Sequence, residues 1–243
     1  MGICIEPAES AVASVSLNAC CTEPAAPAAC APARMHVTYD ELHGSIVSSL
    51  DALRAAGWGE PDYLVAISGG GLIPARILRS VLRHASKQGG CAQIKVIGLE
   101  LYSDELEGRP HEAGVKRTQW FEKDSVSLVG KRILVVDEVD DSRATLAYAV
   151  RELQADVVEE EAALAAVGAP VPETHLGVYV IHNKLRPKVG SLPEGVPEFV
   201  AQELDCNPWI CYPWDAPDID EHNRGAARAL LLQHAIPCLP PAN

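Results

Sequence analysis

From Thr38 onward the apolar positions fall into two alternating periods. Leu42, Ile46, Leu50 and Leu53 recur at helical spacing. Thr38 with Glu41 forms a capping box that satisfies free amides of the first turn, and Gly57 supplies a stop. Tyr63 to Ile67 is a short apolar strand that runs into Ser68-Gly69-Gly70-Gly71 and then a helix carrying Ile73, Ile77, Leu78, Val81 and Leu82. A second strand is predicted over residues 94–101, followed by a polar stretch with Gly and Pro over 103–114. A third, over 133–136, is apolar at every position, as strands buried on both faces are. It enters an acidic turn and a helix over 145–154, then a second helical stretch over 157–167 and a strand over 176–182. Strands alternating with helices predict an α/β fold with a mainly parallel sheet flanked by helices. Residues 188–216, rich in Pro and Trp, read as a small irregular subdomain, and 224–233 as a short helix.

Residues 1–34 lack this periodicity. Ala, Pro and Cys dominate them, and the segment is expected to be a poorly ordered leader. Glu6, Glu9 and Glu23 against a single cation, Arg34, argue against a transit peptide, and Glu6 stands where myristoylation favours Ser or Thr. The division expected is therefore a leader over 1–34, a core over 35–187, and a hood with C-terminal tail over 188–243.

The formal net charge of −13 argues against broad nucleic-acid binding, which needs a basic footprint. No apolar run approaches the ~18–20 residues of a membrane-spanning helix. The eight cysteines form no CxxC pair, so no zinc site is expected.

Two strand–helix turns carry candidate chemistry. In an open parallel sheet, ligands sit beyond the carboxyl ends of the strands. There the chain reads Ile133-Leu134-Val135-Val136-Asp137-Glu138-Val139-Asp140-Asp141-Ser142-Arg143-Ala144-Thr145. Carboxylates crowded at a strand end repel one another unless cations or many donors hold them. A sugar with two hydroxyls and a bound metal would provide both, and the helix start that follows favours a phosphate. The turn at Ser68, Gly69 and Gly70 lets backbone amides face an anion without Cβ obstruction. A solvated acidic turn, and a receiver-type signalling domain, are the alternatives; the loop from Ser142 to Thr145 gives the second no support.

The acidic segment resembles the phosphoribosyl pyrophosphate (PRPP) signature of the type I phosphoribosyltransferases. The resemblance implies their fold, with a small C-terminal hood. It implies that Asp137 and Glu138 hold the ribose hydroxyls, directly or through Mg2+. Asp141, Ser142, Arg143, Ala144 and Thr145 would wrap the 5′-phosphate, and Asp141 would sit near purine N7 as general base. Many members have glycine where this chain has Arg143, which questions whether the loop can take the same shape. Ser68, Gly69 and Gly70 match the pyrophosphate loop, where relatives lead one to expect a strained or cis peptide near Ser68. Tyr102 and Ser103 would begin a lid over PRPP, with Lys116 and Arg117 flanking its return.

Pro208-Trp209-Ile210-Cys211-Tyr212-Pro213-Trp214-Asp215 resembles the hood of bacterial xanthine-guanine and fungal hypoxanthine-guanine members. It implies that Trp209 stacks on the purine, the Ile210 backbone meets its 2-position edge, Lys184 donates to O6, and Asp215 faces a second metal. Core packing is the alternative for Trp209 and Trp214, and a surface cation for Lys184. Taken together, the resemblance implies transfer of 5-phosphoribosyl from PRPP to hypoxanthine, guanine or xanthine, with Mg2+, by a cytoplasmic homo-oligomer (dimer or tetramer) with no nucleic-acid or membrane partner. A non-catalytic PRPP sensor on the same fold is the alternative; retention of Asp141, Lys184 and Trp209 argues against it.

Overall fold

The structure, a computed structural model, describes residues 34–86, 91–100, 102–103, 109–110, 114–122 and 125–235. The leader reading for residues 1–34 falls almost wholly outside them.

The capping box forms as expected. Glu41 N donates to Thr38 Oγ1, and Thr38 N donates to Glu41 Oε2, opening α1 (Tyr39–Ala55). The main sheet has six strands in the order β6-β3-β2-β7-β8-β9. They are β2 (Tyr63–Ile67), β3 (Gln93–Glu100), β6 (Lys116–Gln119), β7 (Arg132–Asp140), β8 (His175–Lys184) and β9 (Glu198–Leu204). All neighbours pair in parallel except β6, which runs antiparallel to β3.

Alternation along the central strands explains the unbroken apolar runs. Leu64, Ala66, Leu134 and Val136 face one side, where α1 and α2 (Leu72–Ala85) cover them. Tyr63, Val65, Ile67, Ile133 and Val135 face the other, where Leu146, Val150, Leu153 and Val157 of α3 (Ala144–Ala166) cover them. Both faces of β2 and of residues 133–136 of β7 are thus dry, so every position there is apolar.

Three sequence readings change. The two helical stretches after the acidic turn are one continuous helix, α3, because no Gly or Pro interrupts residues 144–166. The strand expected over 133–136 continues to Asp140, carrying the acids into the sheet itself. The stretch 188–216, read as irregular, supplies β9 to the main sheet and also β10 (Trp209–Cys211). β10 pairs in parallel with β1 (Arg34–His36), just ahead of α1, and α4 (Ile219–Ala235) packs on that pair. His222 of α4 holds Val37 O at 2.9 Å and meets the His36 ring edge-on.

Of the lid candidates, Tyr102 and Ser103 form β4, paired antiparallel with β5 (Arg109–Pro110); their side chains, like residues 104–108 and 111–113, lie outside the described residues. The return is fastened to α3. Arg117 pairs with Glu152 and stacks over the Trp120 ring, and Trp120 Nε1 donates to Asp156 at 2.6 Å.

Candidate active site

The strand order reverses between β2 and β7, since α2 carries the chain from β2 to β3 on one side while β7 lies on the other. Such a switch point opens a crevice at the carboxyl ends of the strands. The glycine turn leaves β2 there and the acidic turn leaves β7, so the two motifs face each other across a cleft of about 650 Å³. Ser68, Gly70, Asp137, Glu138, Asp141 to Thr145, Lys184, Trp209, Ile210 and Asp215 all line it.

The two turns touch. A Cβ on Gly70 would lie 1.8 Å from the carboxyl carbon of Glu138, so only glycine admits that carboxylate. Of the strained or cis peptide expected near Ser68, the cis form is absent, since peptide bonds among the described residues are all trans; Gly69 turns the chain with φ 93°.

The four acids divide into two pairs with opposite electrostatics. Asp140 is fully buried and held by Arg143, whose Nε donates at 2.8 Å, with Lys188 Nζ at 3.3 Å. Asp141 accepts from Lys184 Nζ at 3.0 Å and from Arg186 at 2.9 Å. Among the described residues, no Lys, Arg or His forms an ion pair with Asp137 or Glu138. Burial, and then the neighbouring charge of Glu138, push the Asp137 carboxyl well above its ordinary range. Glu138 Oε2 is buried without a hydrogen-bond partner. Partial burial and the charge of Glu138 also push Asp215 up. An unneutralised acid pair with an orphaned oxygen fits a divalent cation or the hydroxyls of a sugar. Among the described residues no three Asp, Glu, His or Cys side chains close on one point, so a hard cation here would complete its shell with ligand oxygens and water, as Mg2+ does beside phosphates.

The loop after β7 takes a left-handed turn at Arg143. That residue has φ 66°, the sole positive φ outside glycine among the described residues. Its side chain turns from the loop to bind Asp140 and Glu198 of β9, both within 2.7 Å. The cation is therefore spent on carboxylates, and α3 begins at Ala144, so its first amides have no partner inside the helix and could meet an anion.

Lys184 is buried at the end of β8, and its ammonium bridges toward the Asp141 carboxylate. Trp209, 72% exposed on β10, presents its ring at the cleft rim beside partly buried Ile210. Trp214 stacks on Tyr212, centroids 4.7 Å apart, and packs, partly buried, against the core, as the packing alternative expected.

Residues not singled out in the sequence complete the site. The Tyr212 hydroxyl donates to Glu138 O at 3.1 Å, tying the hood to the acidic turn. Its one proton being so used, the 2.9 Å contact with His182 Nδ1 requires that nitrogen to donate. Burial lowers the His182 pKa to about 4, so the ring is neutral. Arg186 and Lys188, at alternate positions after Lys184 at the end of β8, were a legible signal, a basic counterpart to the acidic turn. Glu198 carried none, because its partner comes from another strand's end.

No family model matches the chain. Over 207 residues it is 40% identical to a hypoxanthine-guanine phosphoribosyltransferase of Schizosaccharomyces pombe, covering 81% of this chain and 96% of that protein. Over 200 residues it is 38% identical to xanthine phosphoribosyltransferase 1 of Saccharomyces cerevisiae, covering 78% and 93%. Its fold matches the crystal structure of a hypothetical protein from Neisseria gonorrhoeae with bound ppGpp, with a TM-score of 0.63, 37% identity and coverage of 80% and 96%. With such relatives matched over nearly their whole length, the chain belongs to the hypoxanthine-guanine and xanthine phosphoribosyltransferase family of purine-salvage glycosyltransferases.

Proposed function

We propose that this cleft binds PRPP and a 6-oxopurine and joins them to give the nucleoside monophosphate and pyrophosphate. The observation that carries the reading is the Asp141–Lys184 pair, acceptor beside donor at 3.0 Å, in the same cleft as Trp209. N7–H and O6 are neighbours on one edge of a 6-oxopurine, a donor beside an acceptor, which this pair complements. Adenine carries an amino group at that position and cannot accept from Lys184.

In this reading Trp209 stacks on the base, and the Ile210 backbone meets its 2-position edge. The helix start at Ala144, with Ser142 and Thr145, takes the 5′-phosphate, and the amides at Ser68, Gly69 and Gly70 take the pyrophosphate. Tyr102 and Ser103 start the lid. Asp137 and Glu138 would hold the ribose hydroxyls, directly or through Mg2+, and Asp215 would face a second Mg2+; the metal would supply charge neutralisation on the leaving pyrophosphate. N9 bonds to the anomeric carbon as its bond to the pyrophosphate oxygen breaks, and Asp141 accepts the N7 proton. The enzyme acts in the cytoplasm as a dimer or tetramer; no helix among the described residues is long and apolar enough to cross a membrane.

An ultraviolet assay with PRPP, Mg2+ and each of hypoxanthine, guanine, xanthine and adenine tests this. Turnover with a 6-oxopurine, abolished by EDTA, is expected. Turnover with adenine alone would overturn the Lys184 assignment. A second reading has one observation in its favour, the ppGpp bound to the gonococcal protein. It makes the same cleft a receptor for guanosine polyphosphates, and competition of ppGpp against PRPP in that assay distinguishes it.

A further inference from the structure

Lys188 does not line the cleft, yet its ammonium lies where the two halves of the site are joined. Nζ donates to the carbonyl of Asp140 at 2.7 Å, of Asp141 at 3.1 Å and of Lys184 at 3.0 Å, and to Asn183 Oδ1 at 2.8 Å. It is also 3.3 Å from Asp140 Oδ2. Asp140 and Asn183 are register partners on β7 and β8, so these acceptors come from the carboxyl ends of adjacent parallel strands. The β7–β8 ladder ends at that pair, and there the carbonyls crowd together, that of Lys184 also accepting from Arg186 N at 2.8 Å. Held together around one point, they repel unless a cation or several donors stand there.

The adjoining residues splint the phosphate loop. The amides of Val189 and Gly190 both donate to Ser142 O, at 2.9 and 3.2 Å. A Cβ on Gly190 would stand 2.6 Å from Arg143 O, so this segment lies directly against the loop. Two of the three carbonyls that Lys188 gathers belong to the residues whose side chains form the acceptor–donor pair, Asp141 and Lys184.

We infer that Lys188 is a positioning residue: acting through backbone carbonyls, it fixes both the 5′-phosphate loop and the spacing of Asp141 from Lys184. This rests on the proposed function for what the loop holds. The role differs from general stabilisation, because it sets the relation between two strand ends rather than the burial of either.

The test compares Lys188→Met and Lys188→Arg with the wild type in turnover, in the KM for PRPP and for the purine, and in ribose 5-phosphate affinity by calorimetry, with melting temperature as the control for folding. In folded K188M, the dissociation constant of ribose 5-phosphate and the KM for PRPP should each rise roughly tenfold or more, and kcat should fall comparably. The purine KM should move less, since Trp209 sits on β10. K188R keeps the charge, but its planar fork cannot seat among acceptors converging on one point, and it should fall between. A lower melting temperature with kcat and ribose 5-phosphate affinity within about twofold of wild type would overturn the inference. If K188M does not fold, K188R decides by the same affinity reading. A wild type that binds ribose 5-phosphate but turns over no purine would count against the proposed reaction, while the K188R comparison still reads on the loop.

Discussion

Replacing Arg143 by glycine weighs two opposed effects at one residue. In the wild type a non-glycine residue sits at φ 66°, ψ 2°, a conformation that costs a side chain about 1–2 kcal/mol. Glycine would remove that strain. It would also delete the guanidinium that bridges Asp140 and Glu198, whose side chains are 0% and 22% exposed. Taking one partner from a buried pair costs about 3–5 kcal/mol, because the remaining charge stays desolvated. Lys188 remains 3.3 Å from Asp140 and softens the loss, placing it at the lower end. The balance is a destabilisation of about 2 kcal/mol, or a fall of roughly 4–8 °C in melting temperature for a chain of this size. Scanning fluorimetry on R143G, E198Q and the double variant measures it, and the arginine substitution should cost less when Glu198 is already neutral. An R143G protein as stable as wild type, or more so, would refute the argument and show that strain outweighs the ion pairs.

Asp141→Asn keeps the size of the proposed base and removes its proton affinity; kcat should fall about 10²–10⁴-fold with a much smaller change in the KM for PRPP, and unchanged turnover would exclude Asp141 as the base. Trp209→Ala should raise the purine KM by the ~1–3 kcal/mol of one stacked base and leave that for PRPP nearly unaltered, as steady-state kinetics with each substrate varied would show. His182 titrates near 4 in the fold against about 6.5 unfolded, so the unfolded chain binds the extra proton between those values and stability is lost as pH falls through that window. The loss approaches about 3 kcal/mol by pH 4, and a His182→Gln variant should show a flatter melting-temperature profile from pH 6.5 to 4. A profile as steep as wild type would assign the acid sensitivity to other groups.

Most of the framework was legible because it obeys local rules. The capping box at Thr38, the apolar periods of β2 and β7 and the Gly-rich turn follow from what neighbouring residues in the chain can satisfy among themselves. The candidate site residues were legible for the same reason: Asp137 to Thr145 and Trp209 to Asp215 are contiguous. What the chain could not announce locally was the outcome of competitions between distant segments. β9 looked irregular because an edge strand, half exposed and flanked by Pro, lacks the apolar run of a central one. The acidic turn displayed four carboxylates, and nothing in their order told which would be neutralised. Packing β8 beside β7 brings Lys184, Arg186 and Lys188 over Asp140 and Asp141 and, among the described residues, leaves Asp137 and Glu138 without a cation. Arg143, which by sequence alone questioned the shape of the loop, takes glycine's conformation because Asp140 and a residue from the sheet's far edge, Glu198, hold its charge. Local periodicity therefore determined the elements and the chemistry they carry. Long-range charge pairing, which depends on distance in space rather than along the chain, decided which of those groups remained free to meet a ligand.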